Sequence, residues 1–233
     1  MKNIRITSPS RNGTHLINTD EFLKQCKTVE NKFGVETKTN FFKNNGTGLS
    51  RIFNSEIDKA KEDGTDFLML VHSDVSFDYF RFMEKYLKVC GKYDVVGFAG
   101  TRKIDLSISP LTWFTGSKNF PNERYGRVIH REFNLGESFF NGQHHADADD
   151  VEVGTIDGLC LVLNRKAIES GARFDERFTF DFYDLDFCLT CIVKNGLKLG
   201  VIVEPVVHES VGTSVLKPEY LLEEKKFREK WCI

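Results

Sequence analysis

Phe67-Leu68-Met69-Leu70-Val71-His72-Ser73-Asp74 sets five consecutive apolar residues in front of a histidine, a serine and an acid. The apolar run is too short for a helix and lacks the alternation of a half-exposed strand. It predicts a strand covered on both faces. Upstream, Asn3 to Thr7 is a short strand candidate closed by Ser8-Pro9-Ser10. Asp20 to Phe33 has helical spacing at Phe22, Leu23, Cys26 and Val29, and Val35 to Phe41 alternates like a strand. The turn Asn44-Asn45-Gly46-Thr47-Gly48 precedes a helix face marked by Leu49, Ile52, Phe53, Ile57 and Ala60. Downstream, a helix is expected from Tyr79 to Cys90 and a buried strand from Val95 to Ala99. Strand–helix alternation at this pace predicts an α/β fold, with a mixed, mostly parallel sheet flanked by helices.

Beyond Gly100 the rhythm fails. Residues 101–150 predict a long loop, and loops of that length inside a compact domain are usually functional. Regularity returns at Val151 to Leu163, followed by a short helix near Arg165 to Ser170. A helix over Leu185 to Asn195 stops at Gly196, then come a strand at Val201 to Val207 and a charged helix from Pro218 to Trp231.

Composition narrows the function classes. Lysine and arginine number 32 against 34 acids, so nothing points to a nucleic-acid groove or a polybasic membrane anchor. No stretch reaches the roughly 18 apolar residues of a membrane span. Met1 to Arg11 lacks the apolar core of a signal peptide. The six cysteines sit mostly in apolar runs and read as reduced thiols, so a cytoplasmic location is expected. Phenylalanine supplies 21 residues against 2 tryptophans and 6 tyrosines, which suits an aromatic core.

Three segments can carry chemistry. His72-Ser73-Asp74 follows a buried strand, at the sheet edge where α/β folds bind ligands. Its carboxylate can hold a divalent cation against a phosphate, or it can cap the next helix. Phe180-Asp181-Phe182-Tyr183-Asp184-Leu185-Asp186-Phe187 interleaves three acids with aromatic rings; the acids can serve as a general base or favour a helix N-terminus. Val207-His208-Glu209-Ser210 ends a strand with one histidine. Cys188 and Cys191 share a helix face and suit a core better than a metal. The run His144-His145-Ala146-Asp147-Ala148-Asp149-Asp150 reads as a solvated loop.

These segments occur in a specific order. Leu49-Ser50-Arg51-Ile52-Phe53-Asn54 comes first, then His72-Ser73-Asp74, Val96-Gly97-Phe98-Ala99-Gly100-Thr101 and Ile156-Asp157-Gly158. Phe174-Asp175-Glu176, Phe180 to Asp186 and His208-Glu209-Ser210 follow. The order resembles that of the nucleotide-sugar-dependent glycosyltransferases of the GT-A (Rossmann-like) fold, the family-2-like group, over about residues 40 to 214.

The resemblance implies a metal-dependent, inverting transfer of a sugar from a nucleotide-diphosphate donor to a hydroxyl of a glycan or lipid-linked acceptor, as in polysaccharide biosynthesis. Asp74 and His208 would hold Mn²⁺ or Mg²⁺, although only the last residue of His72-Ser73-Asp74 is acidic. Ser8, Arg11, Ser73, Asp74, Asp157 and Gly158 would meet the donor. Asp184 would deprotonate the acceptor, with Asp186 as the fallback, and Trp113 and Tyr183 would meet the acceptor. The chain would form one transferase domain: a nucleotide-sugar half at 1–100, the acceptor-side loop at 101–150, a catalytic half at 151–216 and a C-terminal helix at 217–233. A non-catalytic nucleotide-sugar or glycan binder on a degenerate scaffold, and a sugar-phosphate nucleotidyltransferase, remain as alternatives.

Overall fold

A computed structural model of the chain describes residues 1–43, 45–132, 136–141, 149–209 and 218–233. Residues 144–148 of the histidine–aspartate run, and Ser210, lie outside them.

The chain opens with β1 (Lys2–Pro9), α1 (Asp20–Phe33), β2 (Val35–Phe42), α2 (Leu49–Glu62) and β3 (Phe67–Val71). It continues through β4 (Val75–Phe77), α3 (Tyr79–Val89), β5 (Val95–Gly97), β6 (Ala99–Thr101) and the single turn α4 (Trp113–Gly116). After a 3₁₀ turn at Pro121–Glu123 come β7 (Arg124–Glu132), β8 (Gly136–Asn141), β9 (Asp150–Val153), β10 (Thr155–Ile156) and β11 (Cys160–Asn164). The last elements are α5 (Arg165–Glu169), α6 (Tyr183–Leu189), a π turn at Thr190–Lys194, β12 (Leu199–Ile202), β13 (Pro205–His208) and α7 (Pro218–Trp231).

The fold is mixed α/β, with two mixed sheets flanked by helices. The larger has the order β2-β1-β3-β11-β5-β12-β9. Strands β1, β2, β3, β5 and β12 point one way, and β9 and β11 the other. The smaller runs β10-β6-β7-β13-β4, with β8 beside β7. Residues 101–150, expected as a long loop, therefore contribute two strands of the second sheet. Among the described residues no helix is long and apolar enough to cross a membrane.

Strand β3 lies in the middle of the large sheet and is buried along its whole length. Its pleat sends Leu68 and Leu70 into one apolar cluster, and Phe67, Met69 and Val71 into the other. That two-sided burial is why the run is continuous rather than alternating. Helix ends follow local chemistry: Thr19 caps α1 by accepting from the Phe22 amide, and Gly34 closes it in the left-handed region. Asn54 on α2 bonds both the amide and the carbonyl of Phe174, clamping the segment that leads to α6.

Helix α7 braces α6 from behind. Asp186 is completely buried and accepts from Lys230 Nζ at 2.8 Å and Trp231 Nε1 at 2.9 Å. Phe182, just before α6, adopts φ 62° although it is not glycine. Such a conformation costs about 1–3 kcal/mol and persists only where packing over-determines it. The rings of Tyr220 and Phe227 supply that packing, each 5.1 Å from the Phe182 ring. The next residue, Tyr183, reaches the end of β3, its hydroxyl 2.6 Å from His72 Nε2.

Candidate functional site: a histidine–aspartate cluster beside a buried carboxyl

Three chain segments meet where β3 leaves the sheet. The His72 amide donates to the Leu159 carbonyl at 2.9 Å, tying the strand end to the turn between β10 and β11. Strand β13 runs antiparallel to β4 with His208 opposite Val75, and the Glu209 amide donates to the Asp74 carbonyl at 2.8 Å. This register brings His72, Asp74 and His208 together, with one potential ligand atom from each inside a 4.8 Å span. His208 Nε2 lies 3.5 Å from Asp74 Oδ1, and His72 Nδ1 lies 4.0 Å from the same oxygen. The cap of α3 is Asp78, which accepts from the Arg81 amide at 3.0 Å. Asp74 therefore does not cap that helix.

The electrostatics of Asp74 and His72 suit cation binding, whereas an ion would have to displace the proton that Asp74 favours on His208. Burial works against ionisation of Asp74, yet the bond from His208 and the charges of His72 and His208 hold its carboxyl below the ordinary range. Burial dominates at His72, pushing its imidazole down despite the Asp74 charge. Burial also opposes protonation of His208, but the Asp74 bond and charge outweigh it and raise this group. An ionised carboxylate beside a neutral imidazole is the form in which such groups ligate a metal. The three side chains can hold a divalent ion.

The second part of the site is the Asp157-Gly158 turn. Asp157 accepts from Trp113 Nε1 at 2.9 Å and from the Leu159 amide at 3.0 Å. The Gly158 amide donates to Asp184 Oδ2 at 3.0 Å, and its carbonyl accepts from the Tyr183 hydroxyl at 2.8 Å. A Cβ at position 158 would lie 2.1 Å from the Tyr183 oxygen and 2.8 Å from Asp184 Cβ, so only glycine allows both contacts. Burial, then the Asp157 charge, raises the Asp184 carboxyl to about 7, although the Gly158 and Leu185 amides favour its ionised form. Such a carboxyl can exchange a proton near neutral pH.

The remaining expected residues divide. Ser73 lies within the cluster's loop, where its carbonyl accepts from the Leu16 amide. Arg11 stands on the rim, its guanidinium 5.9 Å from the Phe180 ring centre. Trp113 reaches the site by holding Asp157. Three of the expected residues are engaged elsewhere. Ser8 is fully buried and pairs with His15 Nδ1 at 3.1 Å, so its side chain does not face a donor. Asp186 is held by α7 and cannot replace Asp184. Tyr183 is 3% exposed, so its ring offers no stacking face to an acceptor.

Two further residues join the site. His72 stands where the resemblance implies an acid, and histidine is itself a metal donor. Phe180, 51% exposed, lies with its ring centre 6.1 Å from that of His72 and is the open aromatic face at the cluster.

No protein-family model matches the chain, and no curated protein matches it in sequence. Among solved structures, it is similar to A197 from STIV, at 14% identity and a TM-score of 0.43, over 93% of this chain and 98% of that one. It is also similar to the inositol-1-phosphate CTP transferase from T. maritima, at 13% identity and a TM-score of 0.40, over 98% and 97% of the two chains. A third likeness is to GalNAc-T7, solved with UDP, GalNAc and Mn²⁺, at 9% identity and a TM-score of 0.49. It covers 97% of this chain but 47% of the GalNAc-T7 chain, so the present chain spans about half its length.

Proposed function

We propose that this chain is a metal-dependent, inverting glycosyltransferase that moves a sugar from a nucleoside-diphosphate donor to an acceptor hydroxyl on a glycan or lipid-linked glycan. One observation carries the reading: at the end of a buried central strand, a His–Asp–His cluster stands next to a turn whose glycine is gripped by a carboxyl poised near neutrality. Residues 1–100 would cradle the nucleotide sugar and residues 151–216 the acceptor, within one transferase domain.

The residues present fit a divalent ion. Two imidazoles and one carboxylate are a donor set for first-row transition ions, whereas Mg²⁺ prefers oxygen donors and bound water. The set therefore favours Mn²⁺ over Mg²⁺, held by His72, Asp74 and His208. A bound ion supplies Lewis-acid stabilisation of the charge that develops on the departing diphosphate.

The protein's own groups do the rest. Asp184, ionised, accepts the proton of the incoming hydroxyl, and its raised affinity for protons makes it a competent base near pH 7. The Gly158 amide keeps Oδ2 oriented, and α7 supports that geometry through Asp186 and Phe182. Asp157, locked by Trp113 and the Leu159 amide, presents its carboxylate between the two halves of the site for donor hydroxyls. Arg11 and Phe180 would form the rim where donor and acceptor enter.

The reading predicts slow, Mn²⁺-dependent consumption of one nucleotide sugar even with water as acceptor. Release of nucleoside diphosphate from UDP-, GDP-, dTDP- and ADP-sugars, with Mn²⁺ or excess chelator, checks it. Full release in excess chelator would contradict the metal requirement.

A further inference from the structure

Tyr183 has no part in the chemistry described so far, yet its hydroxyl joins the two halves of the site. The phenol oxygen lies 2.8 Å from the Gly158 carbonyl and 2.6 Å from His72 Nε2. A phenol has one proton to give, and a carbonyl can only accept. The proton therefore goes to Gly158, and the phenol oxygen receives the N–H of His72 Nε2. In a neutral imidazole the other nitrogen then carries a lone pair, and that atom, Nδ1, faces Asp74.

The opposite assignment fails on distance. It would leave the Gly158 carbonyl without the Tyr183 proton and place a hydrogen on Nδ1, aimed at an oxygen 4.0 Å away. That separation is beyond a hydrogen bond. The neighbouring polar groups agree: Asp74 Oδ1 is paired with His208 Nε2 at 3.5 Å, and Asp184 is bonded to the Gly158 and Leu185 amides. Neither carboxylate is given a hydrogen bond to His72.

We propose that Tyr183 is the positioning residue of the cation site: it holds His72 in the Nε2–H tautomer, so that Nδ1 is presented to a divalent ion shared with Asp74 and His208. The proposal rests on the reading of this cluster as a cation site. It also explains why residues 183 and 184 act as a pair. Tyr183 holds the Gly158 carbonyl and Asp184 the Gly158 amide, so the metal ligand and the base share one residue as their anchor. Metal-bound histidines elsewhere are oriented by an outer hydrogen bond from the second ring nitrogen, and losing that partner typically weakens metal binding 10- to 100-fold.

The test is nitrogen-15 NMR of the histidine side chains in the metal-free protein at neutral pH, with His72 assigned by its absence in His72→Gln. The expected result for the wild type is one tautomer, protonated at Nε2. In Tyr183→Phe the ring should lose that single state, and Mn²⁺ affinity read by electron paramagnetic resonance should fall 10- to 100-fold. A wild-type His72 protonated at Nδ1 would overturn the proposal even if Tyr183→Phe failed to fold. Unchanged Mn²⁺ affinity in a folded Tyr183→Phe would also overturn it, while leaving the cation site itself intact. A wild type that binds no Mn²⁺ would overturn the cation site and the proposal together.

Discussion

Asp184→Asn is expected to slow sugar transfer by roughly 10²- to 10⁴-fold, the usual contribution of a positioned general base, while leaving nucleotide binding nearly unchanged. The amide cannot take a proton, but it preserves the shape of the side chain and one acceptor for the Gly158 or Leu185 amide. Steady-state rates and nucleotide affinity measured on the same preparation separate the two effects. Equal rates in variant and wild type would remove Asp184 from the chemistry, and Asp186, buried against Lys230 and Trp231, could not replace it.

The pH profile gives the same residue a second signature. Asp184 must be ionised to act as a base, so the wild-type rate should fall as pH drops through about 7. The asparagine variant should lack that limb. Stability moves in the opposite sense. The folded-state value lies above the unfolded one, so the native chain binds the extra proton between about pH 4 and 7. The resulting stabilisation is present at low pH and fades as pH rises through 7. At about 1.4 kcal/mol per unit it amounts to at most about 4 kcal/mol, less whatever solvent reaches the open side of the carboxyl. The wild-type urea midpoint should therefore fall relative to that of the variant between about pH 4 and 7 and keep a constant offset above that range.

Asp74→Ala should lower Mn²⁺ affinity by more than about a hundredfold, beyond what losing an outer-shell partner costs. It removes the one anionic donor of the cluster and the carboxylate that keeps His208 in place. His208→Ala removes a neutral donor and should cost less. Titration of Mn²⁺ by electron paramagnetic resonance ranks the two variants. An Asp74→Ala protein that binds Mn²⁺ as well as the wild type would place the ion elsewhere.

Much of this arrangement is legible in the sequence, for physical reasons. The buried strand Phe67–Val71 announces itself because a strand covered on both faces needs no polar alternation. The pairing of β7 with β8 does not, because β7 carries charge at exposed Arg127 and Arg131 and meets its other neighbours, β6 and β13, only through long connections. The sequence separates the positions of Asp184 and Asp186. Two residues apart on a helix they lie about 200° around its axis, so only one can face the cleft. His72 is hidden by a pattern that asks for an acid at its position, although imidazole is a good ligand for most transition ions. Tyr183 offered no signal at all: its role depends on Gly158, 25 residues away, and on His72, 111 residues away. Such convergence is a property of the folded sheet edge.

The most direct test of the account is a thermal-shift panel with UDP, GDP, dTDP and CMP, each with and without Mn²⁺. A ligand that binds only the native state stabilises it by about 2.7 kcal/mol at one hundred times its dissociation constant. The account predicts a shift with one nucleoside diphosphate that appears only when Mn²⁺ is present and is lost in Asp74→Ala. No shift with any nucleotide, or an equal shift with and without Mn²⁺, would contradict a metal-dependent donor site built from His72, Asp74 and His208.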